Sequence, residues 1–364
     1  MKKMTKRERV EATLNFAETD RVPVYDVMVC DAAIEHFAGK KAPSGEEGVA
    51  VRCRAIGRML DMTRDADGAP PDQLVDVTDE DGFIHHAHER YIGGGIAKRP
   101  FTDENGAKEW LCKVLDRMRK SNREFDPGTY ARESRERFLT LQRYLGDDTV
   151  MLRANSGPGI DSLRYALGLE LFSYLDADEP GLLSEYLELS TSHEIDVIHA
   201  IADYTLSPCA LTYGDIACKG RLLHSPAWLR REFFPRLKRL NEAWHEHGIK
   251  CLFHSDGYLM EIMPDLIATG IDGLNPLETV AGMDLAEIKK LYGHKLFLTG
   301  GIDISQLMAF GSPDEVRNVC RDAIATAGSG YFIGSTTELD NGARLDNILT
   351  MLDTAWNSGP VGRC

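Results

Sequence analysis

The run CLFHSDG, residues 251–257, closes an apolar stretch on a histidine and an aspartate one residue apart. In a strand, side chains alternate between faces, so His254 and Asp256 stand beside Leu252 while Cys251 and Phe253 point the other way. An imidazole and a carboxylate converging at a strand end can ligate a metal or exchange a proton with a substrate. The spacing Cys251-x-x-His254 imitates a metal motif, but alternation separates the cysteine from the histidine. Two plainer readings stand beside these. Asp256 and Gly257 would also suit the cap of a helix starting near Tyr258. His254 alone could be a hydrogen-bonded core residue.

The elements that would present this pair recur along the chain. From about residue 147, "TVMLRANS", "CALTYGD", "KCLFHSD", "IDGLNPL", "KLFLTGGID" and "YFIGST" read as strands alternating with helical segments. Such alternation means parallel strands with helices packed outside. Ser225 and Pro226 open a helix that Gly248 stops, with an expected kink at Pro235. Asp284-x-x-Glu287 and Ser312-x-x-Glu315 read as capping boxes, and Thr5-x-x-Glu8 starts another helix. "DRVPVYDVM" is a first strand, and one further strand is expected between it and residue 147. The stretch of about 60–145, first rich in Gly, Pro and Asp and then charged and helical near 104–145, reads as an irregular inserted cap of loops, hairpin and helix over the barrel mouth. The expectation is a single domain over 1–364. Its fold class is α/β, an eight-stranded (β/α)8 TIM-type barrel, the closure that leaves no sheet edge bare.

In such a barrel, function gathers at the C-terminal ends of the strands and the loops that follow. That rule selects Asn155 and Ser156, Tyr213 and Asp215, His254 and Asp256, Asn275 and Glu278, Asp303, and Ser335 with Thr336 and Glu338. Asn275-Pro276 would equally make a turn, and Asp215 could simply bond a neighbouring backbone. "IHHAHER" would put His86 and His88 on one strand face, a metal pair or a polar hairpin face. "GGG" at 93–95 lacks the spacing and context of a dinucleotide site and reads as a loop. No P-loop, GxSxG elbow or HExxH occurs.

Charge narrows the partners. A formal net charge of −15 argues against nucleic acid and anionic membranes. It leaves room for an anionic small substrate held by a local Arg or Lys. The eight cysteines include no CxxC pair, which fits reduced thiols in a cytoplasm. The start is charged and no run of eighteen apolar residues occurs, so a cytoplasmic protein is expected. The oligomeric state stays open, and a homo-oligomer is compatible with the sequence.

Four segments together resemble the uroporphyrinogen decarboxylase superfamily. They are "TKRERVEATLNFAETDRVPV", "GRLLHSPAWLRREFFPRLKRLNEAWHEHGIKCLFHSDG", "DLIATGIDGLNPLETVAGMDLAEIKKLYGHKLFLTGGID" and "FGSPDEVRNVCRDAI". The likeness is strongest over residues 205–350, and it implies the same barrel. The decarboxylase branch begins with an arginine-rich "MRQAGR"-type motif, yet no arginine stands between Arg21 and Arg52 here. Its "NLGHG"-like segment is replaced by "IGSTTELDNG". The thiol-directed methyltransferase branch binds zinc through His-x-Cys on this strand and a later cysteine. Here His254 matches, Asp256 replaces the first cysteine, and Ser335-Thr336 stand on the later strand. Oxygen ligands suit polarising an ether oxygen better than holding a thiolate.

The resemblance therefore implies an O-demethylase-type methyltransferase. It would pass a methyl group from a small donor, such as a methoxylated aromatic, to the cobalt of a corrinoid (cobalamin) on a separate protein. His254 and Asp256 would bind zinc or give a proton to the leaving oxygen, with Asp215 or Glu338 completing the shell. Tyr213, Asn155, Asn275 and Ser335 would orient the substrate. The alternatives are a decarboxylase of uroporphyrinogen type, for which Arg153 and Arg164 are the late cationic candidates, and a non-catalytic barrel that binds a small molecule. Metal content and turnover separate the three.

Overall fold

The structure, a computed structural model, describes residues 2–64, 66, 76–86, 95–146 and 148–362. Eight parallel segments close a ring. Residues 24–25 (β1) bridge in parallel to Ile333 on one side and to Met62 on the other. Met62–Thr63 (β2) pairs with Val150–Met151, which with Asn155–Ser156 makes up β3. Then follow Cys209–Tyr213 (β4), Lys250–His254 (β5), Gly273–Leu277 (β6), Phe297–Ile302 (β7) and Tyr331–Ser335 (β8), each parallel to the last. The late strands stand where the sequence puts them, and Met62–Thr63 is the expected extra strand. The TIM-type barrel is closed.

Alternation decides what fills the ring. Tyr25, Met62, Val150, Leu152, Cys209, Leu211, Leu252, Phe297 and Phe332 form one buried interior cluster, and Val10 and Leu14 of the helix Lys6–Leu14 join it. Cys251 faces outward instead, where its thiol reaches the Asn241 carbonyl at 3.8 Å. Burial pushes that thiol well above its ordinary pKa, which makes it a packing residue.

The helix signals carry through with two changes. Thr5 and Ser312 make full capping boxes with Glu8 and Glu315, whereas Asp284 accepts from the Glu287 N–H alone. The kink expected at Pro235 is a wide π-turn over Leu229–Phe233 between the helices Pro226–Trp228 and Phe234–His245. A proline has no N–H for the i−4 carbonyl, and the wider turn relieves the clash there.

The stretch expected to be an irregular cap resolves into distinct parts. A small antiparallel sheet of Val77–Thr78, Ile84–His85 and Ile96–Lys98 precedes two helices, Glu104–Glu124 and Pro127–Leu145. The charged helical segment is thus broken once, where Asp126 caps the second helix and Pro127 opens it. That second helix packs against the helices Gly45–Met59 and Pro180–Ile201, in the barrel's outer layer. His86 pairs with Asp76 at 2.7 Å in an exposed setting. Its suggested partner His88 lies outside the described residues, as do Gly93 and Gly94 of the glycine run.

Candidate functional site

Register brings the first three site residues together. His254 stands opposite Tyr213 on β4 and opposite Asn275 on β6, so one rung of the barrel mouth carries all three. The loop after β5 is then pinned from both sides. Ser255 N–H donates to the Asn275 carbonyl, and Ser255 Oγ accepts from Ile216 N–H. Gly257 sits at φ +93°, and a Cβ there would lie 2.5 Å from the Cys218 nitrogen, so only glycine fits. Its N–H donates to Glu278 at 2.6 Å. Asp256 is therefore not a helix cap: the next helical turn, Met260–Ile262, has no side-chain cap at all.

The His254 tautomer follows from its neighbours. Thr299 Oγ1 has the Leu274 carbonyl as acceptor for its proton, so it accepts from Asn275 Nδ2 at 2.6 Å. Asn275 Oδ1 then faces His254 Nδ1 at 2.7 Å and can only accept. Nδ1 carries the proton, and Nε2 presents a lone pair. Burial first, and then the Arg64 charge, push His254 down to about 4, so the ring is neutral at neutral pH. Asn275, expected to touch substrate, has both ends of its amide engaged and acts as the residue that orients His254. Replacing it with leucine should lower metal affinity about 10–100-fold, read by competition with a chelator, because the ring loses its fixed tautomer.

Facing that lone pair are acids. Asp215 Oδ1 lies 3.8 Å from His254 Nε2 and 3.4 Å from the Asp256 N–H. The ligand atoms of Asp215, His254 and Asp256 all lie within 4.8 Å of one another. Asp256 Oδ1 is buried and has no hydrogen-bond partner among the described residues. Burial raises its pKa to about 7, helped by the charges of Asp215, Glu278 and Glu338 and opposed by Arg64. A neutral nitrogen lone pair, a carboxylate and an orphaned buried oxygen converging on one point call for a cation or a proton between them.

Other expected residues take different places. Glu338 acts on Asp256 through charge and is not among the three grouped ligands. The Ser335 hydroxyl donates to Asp26 at 2.9 Å, which turns it toward the end of β1. Asn155 is exposed at the mouth. Tyr213 packs beside Gly157, and burial lifts its phenol to about 12, so it stays protonated. Arg153 lies buried on the outer face and Arg164 pairs with Asp161. Cys218 is outside the group of three.

Sequence reasoning missed two contributors. Asp161 accepts the Asp215 N–H on both oxygens at 3.1 Å and is itself held by Arg164 at 2.6 Å. Its signal was an acid in the first turn after a strand end. Arg64 follows β2, a strand too short to show alternation. A second group, His245, Cys251 and Asp272, also has ligand atoms within 4.8 Å. Asp272 there already accepts from His245 at 2.7 Å and from the Cys251 N–H at 2.8 Å, which makes it a strand-end clamp.

One nearby acid gives a stability test. Burial raises Glu194, on the helix Pro180–Ile201, from the usual 4.5 to about 7. The folded state holds that proton more tightly than the unfolded chain, so stability is full below pH 4.5 and falls as pH rises to about 7. Glu194→Gln should flatten that decline, a gain of roughly 2–3 kcal/mol at about pH 8, read from urea melts at about pH 4.5 and about pH 8.

Comparison with known proteins agrees with the fold. The solved structure of a methyltransferase from Methanosarcina mazei superimposes with a TM-score of 0.69. The match covers 98% of this chain and 99% of that one, at 17% sequence identity, and speaks for the shared barrel. None of the curated proteins matches. The profile of the uroporphyrinogen decarboxylase (URO-D) family matches residues 163–357, a stretch holding β4 to β8 and all three grouped ligands. That stretch is more than half of the sequence, and the chain belongs to the uroporphyrinogen decarboxylase family.

Proposed function

We propose that the protein is a methyltransferase that takes a methyl group from an ether-type donor, a methoxylated aromatic, and passes it to a corrinoid carried by a separate protein. The observation that carries this reading is the convergence of the His254 Nε2 lone pair with Asp215 and the orphaned Asp256 Oδ1. One nitrogen and two oxygen donors suit zinc. Family membership and the methyltransferase name of the structural neighbour support the choice of reaction.

His254, Asp215 and Asp256 would hold the ion, and zinc there would supply a Lewis acid that polarises the ether oxygen. The remaining work falls to this chain's own groups. Asn275 keeps the proton on His254 Nδ1 and so keeps Nε2 free to bind. Asp161 fixes the backbone that aims Asp215. Without a cation, Asp256 at about 7 can hold the proton that the departing oxygen needs. The methyl–oxygen bond would break in line, the bonding pair staying with an oxygen that is stabilised by the cation or protonated, while the reduced acceptor supplies the electron pair of the new bond to the methyl. Tyr213 and Asn155, at the same mouth, would orient the ring.

The family's other reaction, decarboxylation, needs cationic anchors at the end of β1. This chain has Asp26 there, engaged with the N–H groups of Val27 and Ser335. Purified protein incubated with zinc, a methoxylated aromatic and reduced cobalamin should form methylcobalamin, followed by its absorbance. Metal-free protein that instead decarboxylates uroporphyrinogen would refute the reading.

A further inference from the structure

A cavity of about 390 Å³ lies between the barrel mouth and the helix Pro127–Leu145, lined from both faces of β3. Asn155 is in register with the interior residue Leu211, so it faces the mouth. Arg153 faces outward, its guanidinium over the Phe138 ring at 5.0 Å. Arg64 lines the same cavity, and its charge is felt at His254 and Asp256. The cavity is a side compartment of the mouth, of a size that suits a small ligand.

Arg153 is its unusual wall. The residue is 5% exposed, and no carboxylate among the described residues lies within ion-pair distance of it. Its Nε–H donates to the Ile201 carbonyl at 2.8 Å, and both terminal nitrogens lean on Ser134 Oγ at 3.4 Å. A guanidinium offers five N–H donors. These contacts engage three and leave two for an incoming acceptor. The Asp203 charge acts on Arg153 only from beyond ion-pair distance, and a buried cation with no direct partner is costly until something pairs with it. The wall gathers Arg64, Arg137 and Arg153 against Glu133 in a chain whose net charge is −15, and Arg137 is already paired with Glu46.

We infer that this compartment binds the carboxylate of an anionic methyl donor, a methoxylated aromatic acid, with Arg153 and Arg64 on the acid group and the methoxy end toward His254. The inference rests on the proposed methyl transfer. A carboxylate offers two coplanar oxygens to the planar guanidinium fork, which a neutral donor does not. Arg153 then sets specificity, and the chemistry stays at the centre on β5.

Binding is read without turnover, by calorimetric titration of the full chain with 4-methoxybenzoate and with 4-methoxybenzyl alcohol. The acid should bind at least about tenfold more tightly than the alcohol. Arg153→Gln should abolish that difference while alcohol binding persists, and Arg153→Lys should restore part of it. If Arg153→Gln does not fold, Arg64→Gln carries the same comparison. Equal affinity of the two probes for the unmodified protein overturns the inference, and so does an acid preference that survives the glutamine variant. Inorganic phosphate that binds but is not displaced by 4-methoxybenzoate overturns it as well. Acid-selective binding without methyl transfer leaves the compartment standing and refutes the reaction. Transfer from acid and alcohol donors alike does the reverse.

Discussion

For the proposed zinc centre, replacing His254 with alanine should abolish metal binding and slow the proposed methyl transfer roughly a thousandfold, since a Lewis acid is worth several kcal/mol at a developing charge. His254 is the only nitrogen donor of the three grouped ligands, and it is the one locked in a binding tautomer by Asn275. Without it, Asp215 and Asp256 are left as the two remaining ligands, with the charges of Glu278 and Glu338 also acting on Asp256. Two oxygens and a set of repelling charges bind zinc weakly at neutral pH, where Asp256 is drawn toward its protonated form. Metal analysis after dialysis is the first measurement, because it reads the centre without any substrate. Thermal melting is the second. Loss of the imidazole leaves Asn275 Oδ1 without its donor, a modest cost of about 1–3 kcal/mol. A variant that keeps stoichiometric zinc, or one that loses zinc yet transfers methyl at the original rate, would remove His254 from the chemistry.

Asp61→Ala is expected to cost about 3–5 kcal/mol of folding stability, the usual result of removing one partner from a buried ion pair. Asp61 is fully buried just before β2. Its carboxylate accepts from Arg9 at 2.6 Å, from Arg21 twice at 2.9 Å and from the Val24 N–H at 2.9 Å. Those partners come from the first helix, the lead into β1 and β1 itself, so one carboxylate ties together the segments that complete the ring. Arg9 keeps Asp20 as a second partner at 2.7 Å and Arg21 keeps the Val22 carbonyl at 2.9 Å, while the Val24 N–H loses its acceptor. Urea denaturation at neutral pH measures the effect, and Asp61→Asn should recover part of it by keeping an acceptor. Loss below about 1 kcal/mol, the level of an exposed pair, would mean that the arginines re-pair with water.

The strands that sequence reasoning found and those it could only count differ in one respect. β4, β5 and β7 run five or six residues as nearly continuous buried apolar stretches, and each stood out in the sequence. β2 has two residues and β1 pairs through single bridges, so neither offers a period to read. The same limit applies to the site. His254 and Asp256 share a face because strand alternation is a property of the backbone itself. The partners of Asn275 and Ser335 were not legible, since Thr299 sits on the neighbouring β7 and Asp26 just past β1. Asp161, in the first turn of the helix Ile160–Leu167 after β3, and Arg64, just past β2, act on the centre from different segments, a meeting set by the stagger of the ring.

By itself, then, the sequence determined the parallel barrel, the strand that ends in an imidazole, and the acid two residues on. Periodicity, caps and glycine stops act within a few residues, and a few residues suffice to write them. Only the folded ring decided which tautomer His254 adopts, which acids crowd Asp256, and that Arg153 ends in a buried compartment with donors to spare. Those outcomes depend on contacts between segments far apart in the chain, which close packing brings together and local pattern does not encode.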